Sequence, residues 1–473
     1  MASMLGGGPD NASTGSGKVV ARSGNVRGTR LGKRSGRYRV RVNDFSDDDT
    51  RRLLGYLGVA LVAGGATVTD AEADVKLVGR HLGYSNVQVS ALPTTVMLSL
   101  TSGGPASIER NEGPFRLDQS YAAAEVRQQL MAGRLTVAQA VARLAQIRRK
   151  PHTYGVWASY WGNMLVALGI CLVMQPGWTN VVLVAGCSLL VTLLTRLSAR
   201  HALLAALLPV VATLAVSLII LWCTQQGWID GPLRTLICPV AILLPGALLS
   251  TAMAELATGA MVSGGARAAF GLVQLLLAAL GTVSAALLLG FPSSQLTNLR
   301  IDELGWWAAP LGVAAIAFGI CWSEALPMRM LTYVAPVLVA TYAAQANGQH
   351  HWPTVPVGAF AGGAIASFLA SWIETRFDVP RLIVFLPSFW LLVPGTLGLL
   401  GITSVGLGTG QTQSLVAVLV LVAAITLGLL VGTAFSLPVR RLASLRLRLA
   451  APRPGRFAPS SSRAVHGRSG RRR

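Results

Sequence analysis

Residues 236–249 read LICPVAILLPGALL, and residues 385–398 read FLPSFWLLVPGTLG. Each is an apolar stretch suited to a long helix, yet each carries Pro followed by Gly near its centre, at Pro245-Gly246 and Pro394-Gly395. These are the two residues least suited to a helix interior. Pro lacks an N–H and obstructs the carbonyl four residues back, and Gly permits bent backbone. In hydrocarbon the freed groups are costly unless they face protein or a water-filled cavity, so the solvent around the two breaks decides their meaning.

Composition identifies that solvent. Of 473 residues, 52% are hydrophobic and 12% charged, about half the charged share of an ordinary soluble domain. Most apolar residues fall in runs close to the ~20 residues that cross ~30 Å of hydrocarbon. The net charge of +21 does not indicate nucleic acid, because it sits at the two ends. Residues 1–45 hold nine Lys/Arg against two Asp, and residues 438–473 hold eleven Arg and no acid. Gly, Ser, Pro and Arg dominate both tails, which predicts disorder, and their charge suits anionic lipid headgroups. Aromatic interleaving for single-stranded nucleic acid is missing. The five cysteines form no CxxC or metal-ligand spacing and read as small buried hydrophobes. The first residues lack the apolar core of a cleaved signal peptide.

Between the tails, residues 46–155 are water-compatible. DDDTRRLLGYLGVALVAGGATVTDAEADVKLVGRHLGY, with its acidic start, predicts one or two helices bent at Gly64-Gly65. The stretch NVQVSALPTTVMLSLTS predicts two short strands around Leu92-Pro93. Helices at about 118–131 and 136–148 follow, the second capped by Thr136. This is a small α/β domain. From Val156 onward the apolar runs predict ten spans, at about 156–174, 179–195, 202–223, 235–254, 268–290, 306–322, 331–346, 354–373, 382–402 and 414–436. Alternate links are basic, through Arg148, Arg149 and Lys150, then Arg196 and Arg200, Arg267, Arg329, Arg376 and Arg381, and Arg440 and Arg441. The other side holds Arg234 and Arg300, the latter beside Asp302 and Glu303. Positive charge inside predicts that both termini are cytoplasmic.

The Pro-Gly segments are then the fourth and ninth spans, each fourth in a set of five. A five-span repeat must enter the bilayer from the opposite side the second time, so the duplication is inverted. An offset of 149 lays Pro245-Gly246 on Pro394-Gly395 and Gly259 on Gly408. The expected architecture is an α-helical polytopic membrane protein of ten transmembrane helices in a 5+5 inverted repeat, with a cytoplasmic α/β domain. The divisions are 1–45, 46–155, 156–290, 291–436 and an Arg-rich cytoplasmic tail at 437–473. Opposed broken helices at a repeat interface are where transported solutes bind; a kink that fits neighbouring helices together is the alternative.

At these residues the chain resembles the bacterial threonine/serine exporters. The resemblance lies in LLPGALLSTAMAELATGAMVSGGARAAFG (243–271) and PSFWLLVPGTLGLLG (387–401), and more loosely in GATVTDAE and LTVAQAVARLAQI. It covers about 50–436 and implies ten membrane helices, a cytoplasmic N-terminal domain and proton-driven export of small hydroxy amino acids. It marks Pro245, Gly246, Glu255, Gly259, Ser263, Gly264 and Arg267 in the first half, and Phe389, Trp390, Pro394 and Gly395 in the second. Some relatives divide the halves between two chains and handle carboxylic acids, which leaves the substrate open.

Proton coupling requires a titrating group, and intramembrane carboxylates are usually functional. Glu255, Glu324 and Glu374 are the choices, all near cytoplasmic span ends. Glu255 stands first, ten residues after Pro245 and before ATGAMVSGGAR, whose Gly259, Gly264 and Gly265 suit an irregular loop. The alternative for Glu255 is a solvated interfacial pair with Arg267. Helix starts after the breaks offer N–H donors to a substrate carboxylate. Ser250, Thr251 and Thr396 offer hydroxyls, and Trp390 either shields the site or packs between helices. MVSGG is not the hydrolase GxSxG, His81 reads as surface, and His350-His351 in an exterior link has no further metal ligand nearby. No cofactor and no enzymatic activity are expected. The partners are an amino acid, protons and membrane lipid, at the cell membrane. A membrane-embedded hydrolase or receptor that uses the N-terminal domain is the reading from another class.

Overall fold

A computed structural model of the chain describes residues 46–175, 177–292, 303–352, 356–377, 379–392 and 420–436. It opens with α1 (Asp47–Ala63), whose first turn holds three Asp and whose N-cap Ser46 accepts from the Asp49 N–H. Negative charge there meets the positive end of the helix dipole. The Gly64-Gly65 pair ends α1, with Gly65 at φ +92°, and α2 (Val68–His81) begins after the N-cap Thr67. Strands β1 (Gln88–Leu92) and β2 (Thr95–Ser99) pair antiparallel around Pro93, with Leu92 opposite Thr95.

A third strand, β3 (Ala106–Arg110), pairs with the far side of β2, so the sheet has three strands where two were expected. Its alternation is weak: every residue of β3 is exposed or half-buried, so no apolar face announces it. Helices α3 (Leu117–Met131) and α4 (Val137–Ile147) complete the unit, and a Thr136/Gln139 capping box starts α4. Leu53, Leu54 and Leu57 of α1, Val75 and Val78 of α2, and Val96 and Leu98 of β2 are buried in one core.

The remaining described residues are almost wholly helical: α5 (Val156–Met174), α6 (Trp178–Ser198), α7 (Ala202–Gln225), α8 (Pro232–Val240), α9 (Gly246–Ala257), α10 (Met261–Leu288), α11 (Ala308–Ser323), α12 (Leu331–His351), α13 (Val357–Phe377), α14 (Arg381–Leu392) and α15 (Val420–Ser436). Among the described residues, five helices are long and apolar enough to cross a membrane: α5, α6, α7, α10 and α13. The pair α8 and α9, bent by 69°, makes up to six. Helices α11, α14 and α15 are apolar but shorter. This is a polytopic membrane protein. Phe270, Val273, Leu276, Leu280 and Leu287 of α10 are exposed, a face that only lipid suits.

Two boundaries differ from expectation. Helix α10 starts at Met261, seven residues before the predicted fifth span, and His350 and His351 form the last turn of α12 instead of a link. All five cysteines are buried and free.

The most extensive helix pairing joins α5 to α11. A Cβ on Gly162 would lie 2.8 Å from the Gly319 carbonyl, and one on Gly319 would lie 2.8 Å from the Gly162 carbonyl. Gly169 and Gly312 repeat the relation one heptad away, at 2.6 Å each way. The contact is antiparallel and reciprocal, and only glycine lets the two backbones meet so closely. Two apolar cores pack the helices, one of which includes α5 and α11. Ile170, Ile316, Val334 and Ile383 fill one, and Val191, Val216, Leu236 and Ala278 fill the other.

Gly169→Ala should therefore push α5 from α11 and cost about 1–3 kcal/mol, the usual range for overpacking. Gly186→Ala, where an added methyl meets nothing within 4 Å, should leave stability unchanged or slightly raised. Thermal unfolding in detergent compares the two.

Candidate functional site

The break between α8 and α9 is built residue by residue. Gly231, left-handed at φ 63°, starts α8, and Pro232 takes the first helical position, where its missing N–H costs nothing. Pro239 then removes a donor inside the helix. Residues Ala241–Leu243 tighten into a 3-10 turn, Leu244 becomes extended, and Pro245 turns the chain into α9 at Gly246. The Leu244 N–H donates to the Ala241 carbonyl and the Gly246 N–H to the Leu244 carbonyl, which satisfies part of what the break frees.

Beside the break lies a small cavity lined by Asn163, Val166, Ala167 and Ile170 of α5, Ser188 and Thr192 of α6, Cys238 and Pro239 of α8, and Ala241 and Ile242 of the turn. Its volume of ≈ 10 Å³ is that of about one water. The Thr192 hydroxyl donates to the Ser188 carbonyl, and the Asn163 amide donates to Thr192 Oγ1 at 3.5 Å. The broken backbone thus faces polar groups inside an otherwise apolar layer. None of Asn163, Ser188 and Thr192 was singled out from sequence. The available signal was an Asn inside an apolar run and a Ser and Thr four residues apart on one helical face.

Helix α9 carries Glu255 nine residues past Gly246, roughly 13 Å along the axis. There Gly259, at φ +88°, reverses the chain, the Ala260 N–H donates to the Glu255 carbonyl, and α10 begins. Gly264 and Gly265 are therefore helical, not an irregular loop. Gly264 serves as a contact surface: a Cβ there would come 2.8 Å from the Ala252 carbonyl and the Leu256 nitrogen. With α10 that close, Ser263 and Arg267, one turn apart, face Glu255.

The Ser263 hydroxyl donates to Glu255 Oε2 at 2.7 Å, and Arg267 Nε lies 3.3 Å from the same oxygen. The Arg267 N–H is not aimed to make a hydrogen bond, so attraction there is mainly coulombic. The third partner was unforeseen: the Val68 N–H at the start of α2 donates to Glu255 Oε1 at 2.9 Å. Glu255 is 0% exposed and Arg267 7%. The expected alternative of a solvated pair is thereby corrected, because α2 seals the cluster from outside.

The other sequence candidates are scattered around these two places. Ser250 is buried in α9 with an unpartnered hydroxyl, and Thr251 spends its hydroxyl on the Ala247 carbonyl. Glu324 follows α11 and accepts the Leu117 N–H at 3.1 Å, and Glu374 lies near the end of α13. Phe389 and Trp390 belong to α14, where Trp390 packs against the core shared by α5, α11 and α12. Pro394, Gly395 and Thr396 lie outside the described residues. No group of His, Cys, Asp and Glu able to hold a metal occurs among the described residues.

A family model described as "Putative threonine/serine exporter" matches residues 52–289, which takes in α1 to α10 with both the break and the Glu255 cluster. No curated protein and no solved structure matches the chain.

Removing one member of a buried ion pair costs about 3–5 kcal/mol, whereas replacing both by apolar groups is close to neutral. Glu255→Ala should therefore destabilise the protein strongly, and Glu255→Ala/Arg267→Met should recover most of the loss. Unfolding of the two variants in detergent checks this; a double variant no better than the single one would mean that Arg267 does not depend on Glu255.

Proposed function

The chain belongs to the threonine/serine exporter family, and from that premise we propose that it exports threonine and serine across the cell membrane in exchange for protons. The observation that carries this reading is the broken span α8–α9 with its polar cavity. A zwitterionic hydroxy amino acid needs donors for its carboxylate, acceptors for its ammonium and a partner for its hydroxyl. The first amides of α9 lack intrahelical acceptors and sit at the positive end of its dipole. Carbonyls around the 3-10 turn suit the ammonium. Asn163 and the unpartnered Ser250 hydroxyl suit the substrate hydroxyl, while Ser188 and Thr192, whose hydroxyls donate to the Ala185 and Ser188 carbonyls, can only accept from it. A cavity of ≈ 10 Å³ is too small for an amino acid, so the proposed cycle includes a form in which α9 and the turn move away from α6.

The same reading takes the membrane part as ten spans in a 5+5 inverted repeat, with both termini cytoplasmic. The reciprocal α5–α11 contact supports it, because a two-fold axis in the membrane plane brings the first helices of two inverted sets together in this antiparallel way. A second likeness supports it too: Gly281 of α10 abuts the Val210 carbonyl of α7, as Gly428 of α15 abuts the Phe360 carbonyl of α13. Each is the fifth helix of a set packed on the third. Proton exchange is assigned to Glu255, a buried carboxylate on the second arm of the broken span.

Export and counterflow of radiolabelled threonine in proteoliposomes test the proposal at matched protein content. Pro245→Ala and Pro394→Ala should insert normally and lower both activities by about tenfold or more. Glu255→Gln should keep threonine exchange and lose the net export that a proton gradient drives. Wild-type vesicles that move small carboxylic acids but not threonine or serine would redirect the substrate assignment, and vesicles that move neither would contradict it.

A further inference from the structure

The first N–H groups of a helix have no partner within it. In the α/β domain three of them, on two helices, are satisfied from the membrane helices. Thr67 caps α2 through the Asp70 N–H, while the Val68 N–H is taken by Glu255 at the end of α9. At α3, the Leu117 N–H is taken by Glu324 Oε2 and the Asp118 N–H by the Glu324 carbonyl at 3.3 Å. Ala325, with the unusual φ of +55°, turns the chain just after Glu324, a conformation that costs a non-glycine residue about 1–2 kcal/mol. Each carboxylate also meets the positive end of a helix dipole.

Lesser contacts follow the same border. The Tyr154 hydroxyl donates to the Leu326 carbonyl, and Arg329 donates to the Tyr121 hydroxyl. Ala260 packs on the domain core, and Gly65 approaches Leu382 of α14. The domain thereby touches α9 and α10 from the first set and the ends of α11, α12 and α14 from the second. It spans both sets, including α9 and α14, the helices that bear the two Pro-Gly segments or lead into them.

We propose that the domain of residues 46–155 is the gate of the carrier, closed by two carboxylate latches, Glu255 on Val68 and Glu324 on Leu117, of which the Glu255 latch opens during turnover. This rests on the exporter reading. Widening the cavity at the break moves α9, and Glu255 ties the far end of α9 to the domain. Ser263 and Arg267 remain beside Glu255 when Val68 leaves, so the carboxylate keeps partners in both positions. Glu324 binds α3 through side chain and backbone together and acts as the anchor. Glu255 and Glu324 are positioning residues here; neither needs to touch the solute.

Amide hydrogen exchange reads the latches directly, resolved to single residues at Val68 and Leu117, with β2 (Thr95–Ser99) as the internal reference. A charge-assisted hydrogen bond slows exchange by roughly tenfold or more. Glu324→Ala should release Leu117, and Glu255→Ala/Arg267→Met, which avoids a stranded Arg, should release Val68, each by that factor and with β2 unchanged. In wild-type proteoliposomes, threonine with a proton gradient should speed exchange at Val68 and leave Leu117 protected. Unchanged exchange in both variants overturns the latches. Release in the variants without any change at Val68 during measured threonine flux overturns the gate and leaves a fixed dock. Absence of threonine flux from wild-type vesicles counts against the exporter reading, while the variants still decide the latches.

Discussion

A backbone polar group freed inside hydrocarbon has no water to bond, and much of this structure follows from that constraint. It makes the membrane part helical almost throughout. It also makes Pro239, Pro245 and Gly246 expensive anywhere except beside polar groups, and Asn163, Ser188 and Thr192 share a cavity with Pro239. At the rim of the same layer the constraint acts on helix starts, where Glu255 and Glu324 take the N–H groups of Val68 and Leu117. One requirement thus creates the polar spot in the layer and ties the α/β domain to the helices around it.

The structure divides into parts that resist movement and parts that permit it. Helices α5 and α11 meet backbone to backbone through Gly162, Gly169, Gly312 and Gly319, a contact that leaves little room for either helix to shift. The arm α9 is short, starts at a break, and is turned at its far end by Gly259. A stiff central pair with a jointed arm beside it suits a carrier that rearranges around a fixed scaffold. The buried Glu255–Arg267 pair contributes little net stability of its own, since desolvation offsets most of the attraction. Its value lies in holding a charge where α9, α10 and the start of α2 meet.

How much of this was legible depended on the range of the signal. Local chemistry read well: the acidic start of α1, the Thr136 cap, the bend at Gly64-Gly65 and the kink at Pro245 all carry their causes within a few residues. Helix α10 was read as starting late because Gly264 and Gly265 resemble loop residues, and only the proximity of α9 explains Gly264 as packing surface. Strand β3 was missed because its residues alternate between half-buried and exposed. Arg267 was legible as a partner of Glu255, but Val68 was not, since it lies 187 residues away in sequence and a backbone N–H leaves no mark in composition. The cavity residues were hidden for a related reason, as Ser and Thr occur widely in membrane helices and only the fold brings these to the break.

The central claim is that the solute passes through the opening at the break. Cys238 lines that cavity and is a free thiol, so it reports on the opening directly. In a chain whose Cys171, Cys187, Cys223 and Cys321 are replaced by Ala, the measurement is the rate at which a membrane-permeant maleimide alkylates Cys238, with and without saturating threonine. Occupancy of the break by threonine predicts a rate slowed several-fold by threonine and serine and unaffected by lysine. A rate indifferent to threonine, in protein that still exchanges threonine across the membrane, would contradict it and move the solute path elsewhere.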